Sequence, residues 1–262
     1  MKIIQITTQL EEFAPRHLQE SYDNAGLIVG DAHAECSGCL ISLDVTEEII
    51  EEAIKKGCNL VVAHHPIIFG GLKQLVGDNY VQRTVIKAIK NNVAIYAIHT
   101  NLDNVLHGVN AMIGEKLGLG QLSILRPQTP DNQDIGAGVV GHLAQAMQEK
   151  DFLTFLKKEM QTECIRHTAF LGQPIKKVAL CGGSGSFLLK DAIQAGADVF
   201  ITGDFKYHEF FDAEGKILIA DIGHFESEQF TIPLIYRYLL EKFPTFALHF
   251  TETNTNPIKY FS

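Results

Sequence analysis

No apolar run in the 262-residue sequence approaches the roughly 18 residues needed to cross a bilayer. The uncharged apolar runs, such as Leu60 to Ala63 and Val199 to Ile201, are strand-sized, and no membrane association is expected. The first residues, MKIIQITTQLEEFAP, carry two glutamates and lack the apolar core of a secretory signal, which predicts a cytoplasmic location. Positive charge is scarce. Against 31 Asp and Glu stand 22 Lys and Arg, a net charge of −9, and such a field repels phosphate backbones, so nucleic acid is not an expected partner. Cysteine is also sparse, and its odd count of five suits free thiols in a reducing compartment better than a disulfide framework. Cys36 and Cys39 form a C-x-x-C, but no second pair stands at zinc-site spacing, so both read as buried or edge thiols.

What the sequence has in quantity is apolar mass. Hydrophobic residues make up 46% and charged residues 20%, enough for a large core, and the length suits two lobes of unequal size. From Leu40 a strand precedes Asp44, which with Glu47 forms a capping-box-like helix start. Val45, Ile49, Ile50, Ala53 and Ile54 then recur at helical spacing before Gly57. A strand over 60–63 ends at His64-His65-Pro66, a helix over 81–90 follows, and a strand over 93–98 leads to His99-Thr-Asn-Leu-Asp103. Alternation of this kind predicts a parallel sheet with covered faces. The stretch 125–138, with Pro127, Pro130 and several glycines, reads as a connection between lobes. Beyond it come a helix over 151–160, a strand over 164–171 and a second βα series with strands over 178–181, 198–202 and 217–220, then a long helix. Ala53-Ile54-x-x-Gly57-x-Asn59 lines up with Ala192-Ile193-x-x-Gly196-x-Asp198, a divergent repeat that predicts two related lobes facing each other.

In open α/β sheets the ligand crevice lies beyond the carboxyl ends of the strands, and the polar candidates gather there. His64 and His65 follow one strand, His99 and Asp103 the next, Asp204 and His208 a third, and His224 and Glu228 a fourth. Imidazole nitrogen and carboxylate oxygen suit zinc, iron or manganese, and no cysteine stands at these ends. Adjacent histidines on extended chain point to opposite sides, so His64 and His65 can share one ion only through a turn but can readily serve two. Glu228 falls on the side of His224 if the helix has begun there, and a carboxylate at that point can bridge two cations. The turn Gly182-Gly-Ser-Gly185 could cradle a phosphate, and a tight strand-to-helix turn explains its glycines equally well. Asp23 and Asn24 read as partners within a local turn.

The motifs Tyr22-Asp-Asn-Ala-Gly26-Leu-Ile-Val-Gly30, His64-His-Pro66, His99-Thr-Asn-Leu-Asp103, Gly203-Asp204 and Gly223-His-Phe-Glu-Ser-Glu228 stand in an order that resembles the GTP cyclohydrolase I type 2 homologues, the Nif3-like dinuclear-metal proteins. The ending Asn256-Pro-Ile-Lys-Tyr-Phe261 is similar too, and the resemblance covers nearly the whole chain. It implies an α/β fold of two related lobes with mixed, largely parallel sheets and a metal site between them. The first lobe spans 1–124, completed by 230–262, and the second spans 125–229, with no long inserted domain. The implied metal ligands are His64, His65, Asp103, His224 and Glu228, with Glu228 bridging two divalent ions of iron, zinc or manganese per subunit. Glu228 and His224 take the catalytic positions, and His99, Asp204, His208 and Asn24 contact substrate or support the ligands. The implied assembly is a ring-shaped homohexamer, and the implied activity is metal-dependent hydrolysis of a nucleotide or related small molecule. The alternative is a non-catalytic metal-binding scaffold, a metal-delivery protein or a regulatory protein, because no base-reading cluster or triphosphate-binding basic patch accompanies the five residues.

Overall fold

The fold is described from a computed structural model, over residues 1–129 and 131–261. The chain divides into two compact units, Met1–Leu102 with Thr231–Pro257, and Asp103–Phe230 with Ile258–Ser262. In chain order the strands are β1 (Gly26–Val29), β2 (Cys39–Ser42), β3 (Leu60–Ala63), β4 (Ala94–Ala97), β5 (Gly120–Thr129) and β6 (Asn132–Met147). They continue with β7 (Arg166–His167), β8 (Ile175–Ser184), β9 (Val199–Gly203), β10 (Leu218–Asp221) and β11 (Leu248–Phe250).

In the first unit the sheet order is β1-β4-β3-β2-β11, with β1 antiparallel and the rest parallel. Every residue of β2, β3 and β4 is buried, the mark of parallel strands covered on both faces. On one face the helices Glu47–Lys55 and Tyr80–Lys90 supply Ile49, Ile50, Ala53, Val85 and Ala88 to a core with Leu40, Val61 and Ile95. The helix Thr231–Lys242 packs on β2 and β11, and its Tyr238 ring stacks on Phe13 at 4.2 Å while its hydroxyl donates to the Gln9 carbonyl at 2.9 Å.

The second unit orders its strands β5-β6-β8-β9-β10-β7. Its parallel trio β8, β9 and β10, with β7 antiparallel on the β10 side, repeats the run β2, β3, β4 and β1 of the first unit. The match extends to residues. Gly57 and Gly196 both end a helix in the left-handed region, at φ 72° and 67°, and Cys58 and Ala197 each donate back to Ala53 and Ala192. Asn59 accepts the backbone N–H of Ser37 at 2.8 Å, and Asp198 that of Lys176 at the same distance. The divergent repeat expected from 53–59 and 192–198 is therefore a repeat of topology and of turn chemistry.

Several expectations are corrected. The stretch 125–138 is not a connection but the body of β5 and β6, and the change of unit falls at Asp103; Pro130 lies outside the described residues. The glycines there are demanded by strand approach, since a Cβ on Gly136 would meet the Arg126 carbonyl at 2.2 Å. The helix Glu47–Lys55, ahead of Gly57, is capped by Thr46, not Asp44, with Thr46 Oγ1 accepting the Ile49 N–H at 3.4 Å. The strand expected over 164–171 shrinks to β7, and the long helix after Gly223 is two helices, His224–Glu228 and Thr231–Lys242.

Candidate metal centre

In the first unit, β3 stops at Ala63 and the chain bends through His64 and His65. The bend overrides the alternation of extended chain. It turns both rings to one side, with centroids 4.9 Å apart, the condition under which neighbouring histidines can face one ion. His99, after β4, stands 5.2 Å from the His64 ring and 5.4 Å from the His65 ring. Each imidazole has its Nδ1 on an oxygen: the Ile98 carbonyl accepts from His64 at 2.9 Å, Asp44 from His65 at 2.8 Å and Asp23 from His99 at 2.7 Å. Such bonds set the tautomer and leave Nε2 as the ligand atom. The ligand atoms of the three residues lie within 4.8 Å of one another.

Asp23 is the residue that sequence reasoning missed. Its local-turn bond to the Asn24 N–H exists, yet its side chain, fully buried, also accepts from the Thr100 N–H and hydroxyl and from His99. Burial pushes this carboxyl up, and the hydrogen bonds from His99 and Thr100 outweigh it and bring it to about 2. No local pattern announces a partner so distant in sequence. Asn24 donates to the Ile68 carbonyl at 2.7 Å, and so holds the loop after Pro66.

In the second unit the helix beginning at His224 puts Glu228 one turn on, and His224 Nε2 lies 3.1 Å from Glu228 Oε2. Asp204, left-handed at φ 59° just after β9, accepts a hydrogen bond from His224 Nδ1 at 2.7 Å. Burial pushes the His224 imidazole down, but the flanking Asp204 and Glu228 carboxylates prevail and raise it to about 11. Glu228 is buried, and its carboxylate occupies the space a side chain on Gly183 would need, 2.3 Å from where that Cβ would sit. Gly182 to Ser184 lie within β8 and not in a turn, and the Gly183 N–H goes to Ser227 Oγ and the Gly182 N–H to Asn110 Oδ1, both at 2.9 Å, so these two donors are spent inside the protein. Asp103 ends the short helix Thr100–Asp103. Burial first, then the charges of Asp103 and Glu228, push the Cys181 thiol well up, and the ligand oxygens of Asp103 and Glu228 lie within 4.8 Å of each other. His208 is set apart: it is exposed on the 3₁₀ helix Tyr207–Ala213 and packs against the rings of Tyr207 and Phe211. Cys36 and Cys39 are buried with raised thiols, as inert core residues.

Fold and donor set define the class: an α/β protein of two sheet-bearing units, carrying imidazole and carboxylate groups of the hardness that divalent zinc, iron or manganese requires. Among the described residues no helix is long and apolar enough to cross a membrane. The chain matches the family model Duf34/NIF3 (NGG1p interacting factor 3) over residues 1–257, and it belongs to that family. It is 37% identical to the GTP cyclohydrolase 1 type 2 homolog of Clostridium perfringens over 87% of either chain. With the Campylobacter jejuni protein of the same name it shares 31% identity over the full length of both. Among solved structures, the Staphylococcus aureus hypothetical protein SA1388 superposes with a TM-score of 0.93 at 30% identity, covering 100% of this chain and 99% of that one. Reduced HcgD from Methanocaldococcus jannaschii does so with 0.79 at 25% identity, covering 97% and 98%.

Proposed function

We propose that the protein holds two divalent cations through His64, His65, Asp103, His224 and Glu228 and hydrolyses a nucleotide or a related small molecule, working as a ring-shaped homohexamer in the cytoplasm. The observation that supports this reading most directly is a shared device. Four histidines, His64, His65, His99 and His224, each have Nδ1 committed to an oxygen, three of them to a carboxylate, and present Nε2 to their surroundings. That is how metal-binding imidazoles are prepared. Bound cations of this class acidify water and polarise a substrate oxygen.

The chain's own residues do the rest. Asp204 and Asp44 aim the rings of His224 and His65, and Glu228, buried against Gly183, keeps a carboxylate fixed beside His224 Nε2. Glu228 Oε2 and His224 Nε2 form the pair between which a proton is held in the metal-free protein. The names of the curated relatives point to GTP as the first nucleotide to try.

The experiment is elemental analysis of untagged protein beside the Glu228→Ala and Asp103→Ala variants, followed by a screen of GTP and other nucleotides. About two metals per chain, reduced in both variants, with nucleotide turnover lost in Glu228→Ala, is the expected result. No metal after reconstitution with iron, zinc or manganese overturns the proposal; metal without turnover leaves a scaffold or delivery protein. Sedimentation of the same samples tests the hexamer.

A further inference from the structure

The second unit holds a cavity of about 640 Å³ between the segment that follows β7 and the turn that leads into β10. We propose that this cavity is a second ligand site, and that it takes a flat, uncharged heteroaromatic ring carrying a carbonyl at its edge. None of its lining residues is among the proposed metal ligands, so the site stands or falls apart from the metal-binding reading.

Local structure builds the walls. With three residues per turn, the 3₁₀ helix Tyr207–Ala213 sets Tyr207, Phe210 and Ala213 in one row, and all three line the cavity. Glu214 and Gly215 follow in the left-handed region, at φ 48° and 69°, and turn the chain back so that Ile217, itself buried, adds to the apolar lining. The rings of Tyr207 and Phe211 stand 5.7 Å apart at 74° and remain 73% and 66% exposed. Two large rings left open on the wall of one cavity form a surface on which another flat ring stacks. The volume falls within the roughly 300–1,000 Å³ of small-molecule sites.

Arg166 supplies the polar contact. Its Nη2 donates to the Phe205 carbonyl at 2.9 Å and to the Asp221 carboxylate, which is buried and also accepts the Phe205 N–H at 2.9 Å and the Gly223 N–H at 3.0 Å. The guanidinium is thereby fixed 5.5 Å from the centre of the Phe210 ring. Among the described residues its hydrogen bonds all run through Nη2, which leaves the Nε and Nη1 donors for an acceptor on a ligand. Charge selects that acceptor. Asp221 already neutralises Arg166, and Glu214 on the lining is matched by Lys216, so the cavity has no surplus positive charge to draw a phosphate or carboxylate. An uncharged carbonyl is the better match.

Riboflavin and guanosine, both uncharged and carbonyl-edged, are the probes, in equilibrium dialysis against the full-length chain. Saturable binding of at least one of them, one per chain, is expected. Tyr207→Ala and Phe211→Ala are each expected to weaken it about tenfold or more while melting with the wild type, because both side chains are exposed. Phe187→Ala, which removes an exposed ring outside the cavity, is expected to leave it unchanged. Arg166→Lys keeps the charge and loses the planar fork, and is expected to weaken it by a similar factor; unchanged binding there would overturn the carbonyl assignment. Binding of neither probe, or binding that survives both aromatic substitutions, overturns the proposal. So does octanoate bound in preference to both rings, which would mark a site for acyl anions. A Phe211→Glu chain that sediments as a smaller species, with no ring bound by the wild type, would give this face to a second copy of the chain and overturn it too.

Discussion

A side chain at Gly183 has nowhere to go. Its φ of +62° is costly for an L-residue, by about 1–2 kcal/mol, and the Cβ would press on Glu228 Oε1. Gly183→Ala is therefore expected to lower the melting temperature and to weaken cobalt binding at least tenfold in calorimetric titration, because Glu228 must move. His224 makes a second prediction. In the metal-free chain its imidazole is raised to about 11, so the imidazolium contributes stability that is complete below the ordinary value near 6.5 and lost as pH climbs toward 11. At pH 8 a cation taking Nε2 must expel that proton. Calorimetry in buffers of different ionisation enthalpy is expected to show about one proton released that His224→Ala does not release; binding without release would contradict the role. At this scale the sequence discloses the kinds of residue and hides their partners. His224 and Glu228 are legible because a helix fixes four-residue neighbours, whereas the Asp23–His99 pair depends on where the loop before β1 meets the end of β4.

Glu52, on the helix Glu47–Lys55, shows how one carboxylate ties elements together. It accepts the hydroxyls of Thr251 at 2.5 Å and Thr253 at 2.7 Å and the Glu252 N–H at 2.9 Å, and so fastens the segment after β11 to that helix. Burial pushes the carboxyl up, and these bonds with Lys56 overcome it to bring it to about 2. A depressed carboxylate stabilises fully above its unfolded value near 4.5 and loses that contribution as pH falls toward 2. Glu52→Gln is expected to cost about 1–3 kcal/mol in urea unfolding at pH 7, with the gap from wild type closing in acid. An unchanged midpoint would show that the segment is held by other contacts. Elements of this kind are legible where period and cap coincide, as in Ile49, Ile50 and Ala53 ahead of Gly57. They are illegible in β5 and β6, where exposed polar residues and glycines spaced for close strand approach look like loop.

At the scale of the molecule, the first unit is discontinuous in sequence: its sheet is completed only when the chain returns with Thr231–Lys242 and β11. β11 pairs in parallel with β2 through Leu248, His249 and Phe250, and Ile235 and Leu239 are wholly buried. A sheet whose edge strand and covering helix lie so far along the chain cannot close until the chain through Phe250 has been made. A chain ending at Phe230 would keep every residue of His64, His65, His99, Asp103, His224 and Glu228, yet would uncover the face of β2 and leave Phe13 without its stacking partner Tyr238. Two fully buried aliphatic side chains of that helix alone represent several kcal/mol, about half of a domain's usual stability. Truncation after Phe230 is accordingly expected to abolish the cooperative thermal transition and cobalt uptake together, measured by circular dichroism and elemental analysis. Truncation after Pro257, which spares the whole of the first unit, is expected to preserve that transition. A 1–230 chain that melts cooperatively and loads cobalt would mean that the first unit is complete without its returning strand, and that its histidines are positioned by β3 and β4 alone.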